Sequence, residues 1–187
     1  VIWTHIKAGD HIVAGKTLYG CTFGYLNHGI EKFGVEVTFV DPSDPENFRK
    51  AMKDNTTLVY LETPANPNLT ITDIEAVSAI AHEKEGCLVV VDNTYCTPYI
   101  QRPLALGADV VVHSGTKYLN GHGDVIAGLI AGSQEFITNV RVFGVKDMTG
   151  SVLSPMDAYF IIRGMKTLNL RMDRHCANAQ VVAEFLE

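Results

Sequence analysis

The sequence has no long apolar run and no cluster of basic residues. None of its apolar runs approaches the roughly 20 residues that a membrane-spanning helix needs, and no basic-then-apolar leader opens it. The formal net charge is -6, with acidic and basic residues interspersed along the chain, which argues against nucleic acid or an anionic membrane as the main partner. We therefore expect a soluble, cytoplasmic protein that acts on a small molecule.

The motifs of several common chemistries are also absent. The four cysteines are irregularly spaced, and no Cys-x-x-Cys or Cys/His pair stands at the spacing of a zinc site. We expect free thiols and no metal. The sequence contains no Gly-x-x-x-x-Gly-Lys, Gly-x-Gly-x-x-Gly or Gly-x-Ser-x-Gly. The chain therefore lacks the phosphate loop of nucleotide hydrolases, the dinucleotide fingerprint and the nucleophile elbow of serine hydrolases.

Short apolar runs alternate with segments of helical period along the chain. Of its 187 residues, 47% are hydrophobic and 19% charged, enough to build the core of one domain. The runs "CLVVVD", "ADVVVH" and "VIAGLIAG" are continuous, as in strands that are covered on both faces. Gly34 and Gly86 are predicted to end helices. The pattern predicts an α/β fold with a mostly parallel sheet flanked by helices, and a mainly helical region from Ser133 onward.

Both ends of the sequence interrupt a helical pattern. "VIWTHIKAGD" has the character of the last turns of a helix that Gly9 ends, and "VVAEFLE" stops within an amphipathic pattern. We expect residues 1–187 to be the central piece of a longer chain.

Ionisable and hydroxyl side chains follow two neighbouring apolar runs. "CLVVVD" ends at Asp92, and "ADVVVH" continues through Ser114 and Thr116 to Lys117. If the two strands are adjacent and parallel, these groups share the rim of the sheet where open α/β folds bind ligands. An amine, a carboxylate and hydroxyls beside Gly115 are what pyridoxal 5'-phosphate requires: a point of attachment, a partner for the ring nitrogen and a phosphate anchor.

Each of these residues also has a plainer interpretation. Lys117 taken alone fits a solvated lysine at a strand end, and Asp92 fits an Asx turn in "DNTY". Ser114 and Thr116 fit ordinary loop hydroxyls. The functional interpretation gains weight because the complementary groups follow two core strands together.

Longer motifs resemble one family of enzymes. "LYGCT", "ETPANPNLTITDI", "VVVDNTYCTPYIQRPLALGADVVVHSGTKYLNGHGDVIAG" and "RGMKTLNLRM" are similar, in order and over essentially the whole chain, to the Cys/Met-metabolism family of pyridoxal-phosphate enzymes, fold type I, whose large domain resembles that of aspartate aminotransferase. The resemblance implies that Lys117 attaches the cofactor, that Asp92 partners its ring nitrogen and that Ser114 and Thr116 bind its phosphate. Tyr19 matches a tyrosine that stacks on the ring and protonates the leaving group.

The resemblance also implies roles for residues outside the two strand ends. Glu62 and Asn66 match positions near the cofactor, although a turn role for Asn66 is equally plain. Cys21, Lys146 and Asp147 match substrate-recognition positions; a buried thiol and an exposed loop pair are the alternatives. For Tyr19, we expect nearby cationic groups to lower the phenol pKa.

"YGCT", "NGHGD" and "VKDMTGSVLSP" most resemble the branch that cleaves methionine at its gamma carbon. That branch implies α,γ-elimination of L-methionine to methanethiol, 2-oxobutanoate and ammonia, by a homotetramer of two dimers with shared active sites. Exposed apolar surface is expected on this chain. The alternatives are a branch that acts on cystathionine or on homoserine esters, and an inactive fragment or scaffold.

Overall fold

A single six-stranded sheet, in the order β2-β1-β3-β4-β5-β6, organises the computed structural model, which describes residues 1–187. The first five strands in the chain pair in parallel, whereas the last runs antiparallel to its neighbour. This confirms the α/β class and the mostly parallel sheet. The strands are β1 (His11–Gly15), β2 (Glu36–Val40), β3 (Thr56–Glu62), β4 (Leu88–Asp92), β5 (Val110–Ser114) and β6 (Gly128–Gly132).

Helices follow or precede the strands as the periodicity predicts. Asp73 caps one of them by accepting from the Ala76 amide at 3.0 Å, and Gly34 ends a helical segment with a positive φ angle of 75°. The prediction for Gly86 was wrong, because that helix ends at His82 and Gly86, with a φ angle of 77°, lies in the turn that follows. The region after Ser133 is mainly helical, as predicted. The α-helices are α1 (Ile2–His5), α2 (Gly20–Gly24), α3 (Glu46–Ala51), α4 (Ile74–His82), α5 (Thr97–Ile100), α6 (Gln134–Asn139), α7 (Pro155–Met165) and α8 (Leu168–Leu186).

The central strands bury both of their faces, which explains why their sequences are continuous apolar runs. In β4, Val89 and Val91 join a cluster of 12 buried residues that α3 and α4 cover, while Val90 joins a second cluster of 11 on the opposite face. The other central strands alternate in the same way. Each buried aliphatic side chain contributes about 1.5 to 3 kcal/mol to stability. A shift of one residue in register would move the side chains of each cluster to the opposite face of the sheet, with no gain in stability.

The last strand departs from the prediction. "VIAGLIAG" was expected to be covered on both faces, but no residue of β6 is fully buried, and Gly128 and Ala131 are exposed. The physical reason is position. β6 lies at the edge of the sheet and has a neighbouring strand on one side only. Its apolar composition therefore indicates a strand but not its degree of cover.

Helices α7 and α8 pack on the carboxyl end of β5 with few buried side chains. Leu168 and Met172 of α8 pack on Leu119, and most other apolar residues of the two helices are exposed, including Ile162 and Phe185. This is the exposed apolar surface expected from the sequence. No helix of the structure combines the length and the apolar character needed to cross a membrane.

Candidate active site

A cavity of about 760 Å³ opens at the carboxyl ends of β3, β4 and β5. Parallel strands bring their carboxyl ends to the same edge of a sheet, where ligands bind in open α/β folds. Seven of the ten predicted site residues line this cavity: Tyr19, Glu62, Asn66, Asp92, Ser114, Thr116 and Lys117. Cys21, Lys146 and Asp147 do not line it.

Asp92 ends β4 with its carboxyl group largely buried. One oxygen, Oδ1, accepts from both the amide (3.0 Å) and the hydroxyl (2.6 Å) of Thr94, as in an Asx turn. The other oxygen, Oδ2, has no donor within the chain and belongs to a residue that lines the cavity. Burial raises the pKa of Asp92. The turn interpretation and the ligand interpretation therefore hold together, each on its own oxygen.

Lys117 lies in a short helical turn, Gly115–Leu119, that follows β5 directly. Its backbone angles, φ -89° and ψ -122°, interrupt the helical path, and its side chain is exposed at the cavity. The ammonium group forms none of the ion pairs in the chain. Lys117 therefore presents a free amine on the same rim as Asp92, because β4 and β5 are parallel neighbours.

The hydroxyl residues around Lys117 differ in how far they are already engaged. The Ser114 amide donates to Thr94 Oγ1 at 2.8 Å, so Thr94 ties the end of β5 to Asp92, while the Ser114 hydroxyl has no partner in the chain. The Thr116 hydroxyl accepts from the Ala127 amide at 3.0 Å and lies 3.4 Å from the Ala127 carbonyl. Both hydroxyl protons remain available to an anion, since a 3.4 Å contact is weak.

Glu62, at the end of β3, links two loops of the cavity wall. Its Oε2 accepts from the Tyr19 amide at 2.7 Å, and its Oε1 accepts from the Asn66 amide at 3.0 Å. Burial raises the pKa of Glu62, and the charge of Asp92, its register partner on β4, adds to that rise. Both oxygens are thus occupied by backbone donors, and Glu62 fixes the positions of Tyr19 and Asn66.

Tyr19 follows β1 and has an exposed ring at the cavity. Its hydroxyl and the Cys21 thiol lie 3.4 Å apart, and the hydrogen bond with Cys21 raises the pKa of Tyr19. The expectation of a lowered pKa was wrong for this chain, because a thiol rather than a cation lies next to the phenol. Cys21 is one of four free cysteines and reaches the cavity only through Tyr19.

Lys146 and Asp147 lie away from the cavity. Their side chains pair with each other at 3.3 Å and are 75% and 51% exposed. They belong to the irregular helical segment Val140–Thr149, whose start alone is buried. A substrate role for either residue stays a prediction.

Several cavity residues were not found by the sequence reasoning. Thr94 had a local signal, since Asp-x-Thr is a common turn sequence. Arg171 and His175 of α8 had none, because their contacts join parts of the chain that are far apart. Tyr118 meets His175 edge-on, with ring centroids 5.3 Å apart, which brings α8 against the turn that carries Lys117.

The chemical groups around the cavity fit pyridoxal 5'-phosphate. They include a free amine, a buried carboxylate with one unengaged oxygen, two available hydroxyls and a phenol, in a space of the size that ligand sites have. No cluster of three or more His, Cys, Asp or Glu side chains in the structure could hold a metal ion.

Comparison with known proteins places this cavity in a family. The family described as "Cys/Met metabolism PLP-dependent enzyme" matches residues 1–187. Two L-methionine gamma-lyases, from Treponema denticola and Porphyromonas gingivalis, are 70% and 67% identical over the whole chain, which covers 47% of each of those proteins. A cystathionine beta-lyase from Lactococcus lactis is 46% identical over 97% of the chain and 47% of that protein.

Solved structures give the same result. The crystal structure of metB from Corynebacterium glutamicum superposes with a TM-score of 0.92 at 47% identity, over 97% of this chain and 47% of that one. The cystathionine gamma-lyase of Lactobacillus plantarum, complexed with L-serine, superposes with a TM-score of 0.91 at 40% identity, with the same coverage. The chain thus spans about half the length of the relatives it matches. It belongs to the Cys/Met-metabolism family of enzymes that depend on pyridoxal phosphate.

Proposed function

We propose that residues 1–187 form the cofactor-binding large domain of a carbon–sulfur lyase that converts L-methionine to methanethiol, 2-oxobutanoate and ammonia. The observation that carries the proposal is the single cavity at which Asp92 and Lys117 meet on neighbouring parallel strands. The choice of methionine is supported by relatives of 56% to 70% identity that are L-methionine gamma-lyases.

Asp92 holds the proton of the cofactor's ring nitrogen. When bound, pyridoxal phosphate supplies a carbonyl group that combines with amines and a ring that withdraws electrons from them. The free Oδ2 of Asp92 would accept the ring N–H, while Thr94 keeps Oδ1 in place. A cation beside this buried carboxylate would offset the desolvation that raises its pKa. Asp92 would thereby stay ionised and hold the proton of the ring nitrogen.

Lys117 attaches the cofactor and then moves protons. Its amine would hold the cofactor through the cofactor's carbonyl group. With the substrate bound, the same amine would remove the proton from the substrate α carbon and serve the neighbouring carbon in turn. The absence of an ion pair to Lys117 in the chain leaves the side chain free to make both movements.

Ser114 and Thr116 anchor the phosphate group. Hydrogen bonds from hydroxyl groups to a charged phosphate are stronger than those between neutral groups. The Ser114 hydroxyl has no competing partner, and the proton of the Thr116 hydroxyl is engaged only by a weak 3.4 Å contact to the Ala127 carbonyl. The two hydroxyls lie on either side of Gly115, next to Lys117.

Tyr19 donates a proton to the departing sulfur. Methanethiolate is a strong base, and its departure is eased by an acid. A phenol is protonated at neutral pH, as a donor requires. Cys21, hydrogen-bonded to that phenol, together with Lys146 and Asp147, belongs to substrate recognition. Glu62 and Asn66 complete the cofactor site, Glu62 by fixing the Tyr19 backbone.

The protein is further proposed to be a cytoplasmic homotetramer, built from two dimers with shared active sites. Its apolar side chains support an assembly, since Val152 is 85% exposed and Phe185 is 86% exposed. The four free thiols support a reducing compartment.

Reduction and product analysis of the full-length protein test the proposal. The purified protein should be yellow, and borohydride should remove the visible band and leave a cofactor-derived mass on Lys117. Lys117→Ala should show no such mass and should lose turnover by roughly 10⁴-fold or more. Lys166→Ala, which removes an exposed lysine after α7, should behave as the parent. A colourless parent protein would refute the proposal.

A second candidate function, the turnover of cystathionine, is supported by the close superposition on metB and on a cystathionine gamma-lyase. Assays with methionine, cystathionine and homocysteine separate the two. Methanethiol and 2-oxobutanoate from methionine support the first candidate. Turnover of cystathionine alone, with no product from methionine, would replace it with the second.

A further inference from the structure

One arginine in the cavity wall is bound on three sides by the chain itself. Arg171, in the first turn of α8, donates from Nη1 to the Tyr118 carbonyl at 2.7 Å and from Nη2 to the Gly164 carbonyl at 2.9 Å. Its Nε donates to the Thr167 hydroxyl at 3.1 Å. An arginine that binds a carboxylate or phosphate turns two parallel N–H groups toward it. The three nitrogens of Arg171 instead point to three neutral acceptors.

The first of these acceptors belongs to the residue after Lys117. Carbonyl groups at the end of a helical turn have no partner within it. In this turn the Lys117 carbonyl accepts from the Gly121 amide at 2.7 Å, and the Tyr118 carbonyl accepts from Arg171. Lys117 departs from helical angles, but the turn's own hydrogen bonds, from Gly121 to the Lys117 carbonyl and from Asn120 to the Gly115 carbonyl, close the backbone around it. Arg171 adds a restraint on the next carbonyl, from a different helix.

Two glycines beside Arg171 lie in close contact with their neighbours. A Cβ atom on Gly164 would overlap the Asn120 carbonyl, and one on Gly121, whose φ is +76°, would overlap the Arg171 guanidinium. Leu168 and Met172 pack on Leu119 from the same side. The corner between α7 and α8 therefore contacts the turn on both sides of the arginine.

We infer that Arg171 is a positioning residue for Lys117: it fixes the peptide after Lys117 so that the amine is held at its point of attachment. The inference rests on the proposed role of Lys117. It assigns Arg171 to the chain's own backbone and not to the anionic groups of the cofactor or the substrate. Misplacement of a reacting group by about 1 Å can cost roughly 100-fold in rate, which sets the scale of the effect.

The test uses the full-length holoenzyme with Arg171→Met and, as a matched control, Arg174→Met. Arg174 is exposed on the same helix, and its variant should match the parent. Arg171→Met should lower kcat by roughly 10- to 100-fold with KM for methionine little changed, and should displace the pH midpoint of the visible cofactor band. Arg171→Lys keeps the charge but reaches fewer acceptors, so its kcat should lie between those of Arg171→Met and Arg174→Met.

Hydrogen exchange on the cofactor-free protein gives a readout independent of activity. The Gly121 amide, which donates to the Lys117 carbonyl, should exchange faster in Arg171→Met than in Arg174→Met. If Arg171→Met does not fold, Thr167→Val carries the test, because it removes the partner of Nε, along with a 3.2 Å bond to the Gly164 carbonyl, and leaves the arginine in place. That variant should lower kcat a few-fold at unchanged KM.

Three outcomes would overturn the inference: unchanged kcat and band midpoint, unchanged Gly121 exchange, or a raised KM at constant kcat, which would make Arg171 a substrate clamp. Lys117→Ala separates these from a failure of the proposed function. If that variant loses its borohydride-fixed cofactor, the function stands whatever Arg171 does. If Lys117→Ala retains the borohydride-fixed cofactor, the proposed function itself fails.

Discussion

The two walls of the cavity are built differently. The strand-end wall, which comprises Glu62, Asp92 and Ser114 at the ends of β3, β4 and β5, rests on strands buried on both faces. The helical wall, which comprises the turn Gly115–Leu119 and α8, rests on a cluster of three buried residues. The strand-end wall therefore holds charged groups on a rigid base, whereas the helical wall depends on individual hydrogen bonds.

Among replacements in the strand-end wall, that of Asp92 should reduce turnover most. Asp92→Asn keeps the oxygen that Thr94 binds but loses the charge that is proposed to hold the ring proton, so turnover should fall roughly 10²- to 10⁴-fold. Steady-state kinetics at saturating cofactor measure this. Asp54→Asn, at an exposed aspartate, is the control. Equal turnover in Asp92→Asn and the parent would remove Asp92 from the mechanism.

The same variant should stabilise the cofactor-free protein. Burial raises the pKa of Asp92 above its ordinary value of 3.8, so the folded state binds the proton more tightly than the unfolded state. The free energy of unfolding then declines as the pH rises through the folded-state pKa. Asp92→Asn removes this cost, and its Tm should exceed that of the parent at neutral pH and approach it in acid. A lower Tm at neutral pH would contradict the argument.

Loss of the Ser114 hydroxyl should weaken cofactor binding and spare turnover. A hydrogen bond to a charged group is worth about 1.5 to 3 kcal/mol, so Ser114→Ala should raise the Kd for pyridoxal phosphate roughly 10- to 100-fold. Titration of the visible band measures it, with kcat at saturation close to the parent value. Ser78→Ala removes a buried hydroxyl that has no partner and should leave the Kd unchanged. An unaltered Kd in Ser114→Ala would move the phosphate elsewhere.

Glu62 belongs to the strand-end wall, but it acts through hydrogen bonds to the backbone, as the helical wall does. Glu62→Gln keeps one acceptor oxygen and leaves the other amide facing an NH₂ group, at a cost of about 1 kcal/mol. We expect kcat to fall roughly fivefold through Tyr19, with cofactor Kd near the parent value. Glu75→Gln, exposed on α4, is the control. A larger effect on Kd than on kcat would return Glu62 to direct cofactor binding.

Lys146 lies outside both walls, and its replacement should have the smallest effect. An exposed ion pair contributes about 0 to 1 kcal/mol, so Lys146→Ala should leave Tm and cofactor Kd unchanged. The role in substrate recognition proposed for Lys146 predicts a few-fold rise in KM for methionine. A parental KM would reduce Lys146 and Asp147 to a surface pair.

The strand-end wall, together with Thr116 and Lys117 of the turn, could be predicted from the sequence, whereas the contribution of α8 could not. Asp92 and Ser114 end apolar runs whose burial fixes their direction, so their convergence follows once the strands are parallel neighbours. Arg171 binds backbone carbonyls, one of them 53 residues away, and a carbonyl carries no residue-specific signal. The resemblance placed Glu62 at the site. Only the structure revealed that both of its oxygens accept hydrogen bonds from backbone amides.

The reversed direction of β6 has a consequence for how the chain tolerates changes in length. Connections into the parallel strands enter at the opposite edge of the sheet, so added residues there leave the cavity as it is. β6 begins at the cavity rim, where the Ala127 amide and carbonyl contact Thr116. An insertion or deletion between Asn120 and Ile126 would therefore move the residues beside the phosphate anchor, and this loop should be the least permissive segment of the chain to lengthen or shorten.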